Sequence, residues 1–192
     1  MKKILAVFLA VLMLVMPMTV SAAAEGDSDY VARMWICHKT DANGVFDHIF
    51  LYFENISDEA LKVGRYALEK DETVSVGTFG FSGPRGFGLY YNVECTRDVF
   101  KGGLMAKSTL ITKAQLDKVN TKIVNYNYWD PIFNCTHFAI SAWNAGPGGY
   151  ISLCLFPSLG RNYIKNAGGE VDGVRLTAKT SSEIYKQTEL SK

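Results

Sequence analysis

Residues 129–139 read Trp-Asp-Pro-Ile-Phe-Asn-Cys-Thr-His-Phe-Ala, and this stretch decides where the chain changes from sheet to helix. Asp130-Pro131 favours a turn. Asn134 is a good N-cap residue for a helix that begins one position later. The apolar pattern of Cys135–Trp143 fits that helix, and Gly146 closes it. The stretch therefore predicts a helix that starts directly after a turn.

Helical patterns also occupy the chain on both sides of this stretch. Thr112 and Gln115, three residues apart, match a capping box, which marks a helix start. The apolar residues that follow recur at helical spacing: Leu116, Val119 and Ile123. A third helix is predicted from Pro157 through Ile164. The last third of the chain is therefore predicted to be mainly helical.

The chain before residue 95 has the composition of β-strands. The predicted strands span residues 30–37, 46–53, 61–68, 73–79 and 88–94. Clusters of Asp, Asn, Gly and Pro separate them and are typical of hairpins and loops. Strands followed by helices favour an α+β fold, with an antiparallel sheet and the helices packed towards one side.

The first 24 residues have the pattern of a secretory signal peptide. Met1-Lys2-Lys3 is positively charged, and Ile4–Met16 is an apolar run without charge. Pro17 ends the run, and small residues follow it, as signal peptidase requires. A membrane-spanning helix would need about 20 apolar residues. We therefore expect export and cleavage, which would make the protein secreted or cell-surface bound.

Two cleavage sites fit, Val20-Ser21-Ala22 and Ala22-Ala23-Ala24, and the sequence does not choose between them. Cleavage would leave residues 25–192, roughly the size of one domain. Loss of two lysines would leave 18 basic against 19 acidic residues, a net charge near −1. That balance argues against nucleic acid or an anionic membrane as the main partner. We also expect no integral membrane segment after signal removal.

The four cysteines are Cys37, Cys95, Cys135 and Cys154. An even number in an exported chain allows two disulfides. A domain of this size can also fold without them, so the disulfide state stays open. Because no pair shows C-x-x-C spacing, no zinc site is predicted. We expect neither a metal nor another cofactor.

Cys135 has the location of a reactive thiol. Free backbone N–H groups and the positive end of the helix dipole lower the pKa of a thiol in a first helical turn. The same N–H groups can donate to a developing oxyanion. A cysteine nucleophile needs both effects. The alternative interpretation is that Cys135 is a small buried apolar residue.

A thiolate nucleophile also needs a base, and the chain has three histidines. His137 follows Cys135 by two residues, about 200° around the same helix, and so faces away from the thiol. His38 lies at the end of the first predicted strand and has no evident role. His48 begins a strand that can meet a helix N-terminus, which suits a general base. We therefore predict Cys135 and His48 as the catalytic pair.

Two short segments resemble known families. Asn134-Cys135-Thr136-His137-Phe138 resembles the Asn-Cys-Glu-His-Phe motif of the lecithin retinol acyltransferase-like proteins, and Phe133-Asn134-Cys135-Thr136 is similar to the aromatic-x-Cys-Ser signature of NlpC-type cell-wall peptidases. His48-Ile49-Phe50-Leu51-Tyr52 resembles the His-x-x-x-Tyr strand opening of both. These families belong to the papain-like cysteine hydrolase superfamily, whose circularly permuted branch has histidine before cysteine. The resemblance, over about 20 residues, implies a permuted papain-like fold with Cys135 as nucleophile and His48 as base.

The resemblance has departures and leaves one role open. Thr136 stands where the acyltransferase-like motif has Glu, and Phe133 lacks the hydroxyl with which a Tyr would assist the oxyanion. Four polar residues are candidates to orient the histidine: Ser75, Thr78, Asn92 and Glu94. Trp129 and Asn134 are the predicted substrate-binding residues, with Trp129 as a wall of the cleft.

The resemblance implies a secreted thiol hydrolase that cleaves amide bonds, in cell-wall or other extracellular peptides. One alternative is a lipid acyltransferase or thioesterase of the same fold, which would need an exposed apolar surface near Cys135. The other is a non-catalytic secreted binding module, in which that cysteine is buried or disulfide-bonded. The expected partner is a peptide or acyl substrate outside the cell.

Overall fold

A seven-stranded antiparallel sheet forms the centre of the protein. The computed structural model describes residues 29–40 and 47–191, so the predicted signal peptide (1–24) lies outside the described residues. The strands are β1 (Tyr30–Thr40), β2 (Asp47–Asn55), β3 (Leu61–Val63), β4 (Tyr66–Leu68), β5 (Thr73–Phe79), β6 (Gly88–Tyr91), β7 (Met105–Thr112), β8 (Glu170–Val171) and β9 (Tyr185–Lys186). The α-helices are α1 (Val93–Thr96), α2 (Lys113–Asn125), α3 (Cys135–Trp143) and α4 (Pro157–Asn166). Short 3-10 helices span Asp98–Phe100, Ser181–Glu183 and Gln187–Glu189.

The strand order of the sheet is β8-β7-β1-β2-β5-β6-β9, and β3 and β4 form a separate hairpin. Every neighbouring pair in the sheet is antiparallel. The long strands β1 and β2 pair from Ala32↔Asn55 to Thr40↔Asp47, which covers the whole of β2. The described residues therefore form a mixed α+β fold with a large antiparallel sheet, as the sequence predicts.

Both faces of the central strand β2 are buried. Ile49 and Leu51 belong to the main core, which includes apolar side chains of α2, α3 and α4. Phe50 and Tyr52 point to the other face and pack in a second cluster with Cys95 of α1. Burial on both faces explains why β2 is almost continuously apolar. The three longer helices thus cover one face of the sheet.

Local capping determines where the helices begin. Thr112 and Gln115 form the predicted capping box: the Thr112 N–H donates to Gln115 Oε1 at 2.9 Å, and the Gln115 N–H donates back to the Thr112 hydroxyl. Helix α3 has the predicted bounds, and α4 begins at Pro157 as expected. Within the described ranges no helix is both long and apolar enough to cross a membrane.

Two sequence predictions need correction, and one strand was not predicted. The segment 61–68 is not one strand but a hairpin, because Gly64 turns the chain with a φ of 60°. The predicted strand 88–94 ends at Tyr91, since Asn92 adopts a left-handed conformation and α1 follows. Strand β7 was not predicted, because its half-buried polar residues give it no clear alternation.

Candidate active site

Cys135 is the first residue of α3, and Asn134 caps this helix. The Asn134 Oδ1 atom accepts hydrogen bonds from the backbone N–H groups of Thr136 (2.9 Å) and His137 (3.3 Å). Its Nδ2 atom donates to the Leu155 carbonyl at 2.7 Å and to a second backbone carbonyl. These bonds fix the position of the cysteine. They also occupy the Asn134 amide, whose predicted role in substrate binding stays a prediction.

His48 lies at the start of β2 and contacts the thiol of Cys135 through a hydrogen bond. Its Nε2 atom is 2.9 Å from Glu94 Oε1. Because Nε2 faces the carboxylate, Nδ1 is the ring nitrogen available to the thiol. The Phe79 ring packs against the imidazole, with 4.5 Å between ring centroids. The structure thus brings together the two predicted catalytic residues and adds a carboxylate.

Glu94 is the residue that orients His48, and it belongs to the four candidates that the sequence left open. Its side chain is buried, and its second oxygen, Oε2, accepts a hydrogen bond from the Ser75 hydroxyl at 2.6 Å. Asn92 lies elsewhere and donates to the Glu183 carbonyl. Both carboxylate oxygens of Glu94 are therefore bound, as a positioning group requires.

Gly77 makes room for this pair, and sequence reasoning missed it. It lies on β5, where a Cβ atom would stand 2.1 Å from Glu94 Oε1 and 2.9 Å from His48 Nε2. A glycine in the middle of a strand often marks a close approach of another group to the backbone. That signal was present in the sequence, but the approaching group was not identifiable from it.

The charges of the site favour a thiolate beside an imidazolium. Burial alone would lower the pKa of His48, but the charge and hydrogen bond of Cys135, followed by those of Glu94, raise it to about 9. Burial alone would raise the pKa of Cys135. The charge and hydrogen bond of His48 outweigh burial, the Ile49 backbone N–H adds to their effect, and the pKa of the thiol is lowered.

The other three cysteines differ from Cys135. Burial raises the pKa of Cys37 well above its ordinary value, raises that of Cys95 to about 12 and raises that of Cys154. All four thiols, which lie in the described ranges, are free of disulfide bonds in this structure. Within those ranges no cluster of three or more His, Cys, Asp or Glu side chains is arranged to hold a metal ion.

The other two histidines stand apart from the thiol. His137 Nδ1 is 3.2 Å from the Tyr126 hydroxyl, and its ring packs edge to face with Phe133. His38 Nε2 is 3.1 Å from Asp47 Oδ1, and burial lowers the pKa of His38 to about 4 despite that carboxylate.

A cleft of about 290 Å³ opens onto the cysteine and the histidine. Its lining consists of Asp47, His48, Thr78, Phe79, Gly80, Phe81, Ser82, Trp129 and Cys135. Trp129 forms part of the wall, where its ring lies against Gly80 so closely that a Cβ atom there would be 2.8 Å away. Thr78 is buried and its hydroxyl has no hydrogen-bond partner among the described residues, so it is available to a bound molecule.

Two exposed apolar side chains lie at this cleft. We call Phe81, which lines the cleft, and Phe87, which packs against it, the apolar rim; both are exposed, Phe81 at 91%. Phe81 and Phe87 pack edge to face at 4.8 Å, and Phe87 is 5.8 Å from Trp129. Clustered exposed apolar groups of this kind mark sites of interaction.

Comparison with known proteins found no match to the chain among protein-family models, curated proteins or solved structures.

Proposed function

We propose that the protein is a secreted thiol hydrolase that cleaves amide bonds through Cys135 and His48. The observation that supports this best is the contact between a low-pKa thiol and a histidine that a buried carboxylate orients. A nucleophile, a base and an orienting group that are joined by hydrogen bonds form the arrangement that is typical of covalent acyl-transfer sites. The short segments around both residues that resemble papain-like enzymes support the same chemistry.

In the proposed first step the Cys135 thiolate attacks the carbonyl carbon of the scissile bond. The C–S bond forms while the carbonyl oxygen gains negative charge. Asn134 already binds the N–H groups of Thr136 and His137. The N–H of Cys135 itself, at the first helical position, is then the group that donates to the oxyanion.

The proton balance is completed by His48. The imidazolium gives its proton to the leaving nitrogen, the C–N bond breaks, and an acyl-thioester of Cys135 remains. Water then attacks the thioester, with neutral His48 accepting its proton. The C–S bond breaks, the thiolate returns and His48 is again protonated. Glu94 holds the imidazole in place throughout and is a positioning residue.

We further propose that the fold is a circularly permuted papain-like one. A cysteine at a helix N-terminus, packed against an antiparallel sheet that carries the histidine earlier in the chain, supports this assignment. Extracellular peptides are the preferred substrate class, because the predicted signal peptide directs the protein to them and the resemblance to cell-wall peptidases agrees. This substrate class rests on the proposed fold and the predicted compartment.

A second candidate function is favoured by the apolar rim. A lipid acyltransferase or thioesterase would need an exposed apolar surface beside the nucleophile, and Phe81 and Phe87 provide one. The same thiolate would then attack an ester or thioester, with an alcohol or thiol as leaving group. An amide hydrolase can use the same surface for apolar residues of a peptide.

Alkylation of the native protein tests the reactive pair. Iodoacetamide at mildly acidic pH should modify Cys135 first, with mass spectrometry locating the label, because the other three thiols have raised pKa values. The His48→Ala variant should lose this selectivity. His137→Ala, on the same helix but away from the thiol, is the matched control. An unreactive or disulfide-bonded Cys135 would favour a non-catalytic binding module.

A substrate panel then separates the two catalytic functions. Peptides with cell-wall-type amide bonds and acyl esters of increasing chain length are compared, with Cys135→Ser as the inactive control. Cleavage of peptides with little effect of Phe81→Ser supports the amide hydrolase. Cleavage of long-chain esters that Phe81→Ser weakens supports the lipid enzyme. Absence of turnover on both classes, with an unreactive thiol, contradicts both.

A further inference from the structure

A second cavity, of about 400 Å³, lies behind the candidate site. Glu94 lines this cavity and His48 lines the cleft, so the hydrogen-bonded pair separates the two spaces. The volume of the second cavity lies in the range of pockets that hold small organic molecules. None of the chemistry proposed for Cys135 uses this space.

The walls of the cavity come from two separate parts of the chain. The first is the segment from α1 through the 3-10 helix Asp98–Phe100, and the second is the segment 175–178. Cys95 and Phe100, both buried, provide an apolar floor. Leu176 and Ala178 provide the facing wall. A ligand therefore meets apolar surface along its body.

The charged groups in the lining are predominantly cationic. The lining contains three cationic side chains, those of Arg97, Lys101 and Arg175, and one carboxylate, that of Glu94. The two oxygens of this carboxylate already bind His48 and Ser75. Arg175 is exposed and makes no ion pair within the described residues. Arg97 also forms no ion pair among the described residues, so the lining keeps an excess of positive charge.

The contacts that Lys101 and Arg97 already make leave both side chains able to bind a ligand. Lys101 pairs with Asp98 at 2.6 Å, but both side chains are largely exposed, so this ion pair is weak and exchangeable. Arg97 donates to the Ser82 carbonyl at 2.7 Å and lies over the Phe79 ring, which holds its guanidinium in place. A fixed guanidinium loses little conformational entropy when an anion binds.

We propose that this cavity is a binding site for a small organic anion, with its acidic head at Arg175 and Lys101 and a short apolar body against Phe100 and Leu176. A carboxylate or a phosphate monoester provides the required head. A cation of the same shape would meet three positive charges. A neutral molecule would bury the apolar floor but gain no charge-assisted hydrogen bond.

Nuclear magnetic resonance titration of the protein tests this site without any assay of turnover. The probes are sodium hexanoate, hexyl phosphate, hexan-1-ol and hexylammonium chloride at fixed ionic strength. Both anions should shift the amide signals of Gly102 and Ala178 saturably, with Gly80 in the cleft as reference. The alcohol and the ammonium ion should bind at least about tenfold more weakly, as expected from the loss of one charge-assisted bond.

Exposed cations supply variants that are expected to fold. Arg175→Ala and Lys101→Ala should each weaken hexanoate binding by about tenfold, and Arg175→Lys should retain most of it. Lys118→Ala, which removes an exposed charge on α2, is the matched control. Equal binding of hexanoate and hexan-1-ol, unchanged affinity in Arg175→Ala, or shifts confined to Gly80 would each overturn the assignment. The ratio of the two anion affinities identifies the preferred head group.

Discussion

The substitution Gly77→Ala tests whether the contact between His48 and Glu94 controls the reactivity of Cys135. An alanine methyl group would stand 2.1 Å from Glu94 Oε1 and 2.9 Å from His48 Nε2, whereas an ordinary contact is 3.4–4 Å. The carboxylate oxygen must therefore move by about 1.3 Å, the difference between 3.4 and 2.1. The hydrogen bond, now 2.9 Å long, cannot survive a methyl group wedged against both atoms.

The size of the effect follows from that lost bond. A hydrogen bond to a charged group contributes about 1.5–3 kcal/mol, which corresponds to roughly 10- to 150-fold in rate if it acts through the imidazolium. We therefore expect alkylation of Cys135 at mildly acidic pH to slow by about one to two orders of magnitude. The pKa of His48 should fall from about 9 towards its ordinary value, because Glu94 helps to raise it.

The assay is the rate of iodoacetamide labelling across pH, with circular dichroism and thermal unfolding to establish that the variant is folded. Gly146→Ala is the matched control: its added methyl group meets the flexible end of Met34 at 3.0 Å, remote from the His48–Glu94 pair. A folded Gly77→Ala protein that labels at the wild-type rate with the wild-type pH profile would refute the reasoning.

Three further predictions concern the same site. Activity and alkylation at acid pH should require a Cys135 thiolate beside a protonated His48. Activity should therefore fall as pH rises through about 9, where His48 loses its proton, and should fall again in acid, where Cys135 gains one. A pH–rate profile that keeps rising above pH 9 would contradict this. Glu94→Gln should lower the pKa of His48 and slow labelling, with unfolding curves reporting any loss of stability; an unchanged labelling profile would exclude the positioning role. Asn134→Ala should cost about 0.5–2 kcal/mol of folding stability through loss of the N-cap, measured by urea unfolding, and an unchanged midpoint would contradict the capping interpretation.

Local interactions explain most of what the sequence predicted correctly. The capping box of Thr112 and Gln115 and the N-cap Asn134 involve residues two or three apart, so both helix starts were readable from the chain alone. The strand at 73–79 was bounded by turn residues on both sides. The α+β class followed from these elements and their order. The hairpin at Gly64 and strand β7 were missed because short or half-polar strands carry weak periodicity.

Long-range pairing explains what the sequence left open. Glu94 reaches His48 across 46 positions, and this meeting depends on the register of β2 against β5 and on the left-handed turn at Asn92. None of these can be derived from composition. Sequence reasoning therefore reduced the orienting group to four candidates but had no means of choosing among them. The space that Gly77 leaves for His48 and Glu94 could not be predicted either, because it also depends on this long-range pairing.

The distribution of the site over several elements has a consequence for following folding. Cys135 comes from α3, His48 from the start of β2, Glu94 from α1 and Ser75 from β5. Contacts between such distant parts of a chain are slow to form in folding, because each closes a long loop. Selective labelling of this thiol in acid should therefore appear late in refolding. A timed pulse of alkylating reagent would then measure how fast the finished molecule accumulates.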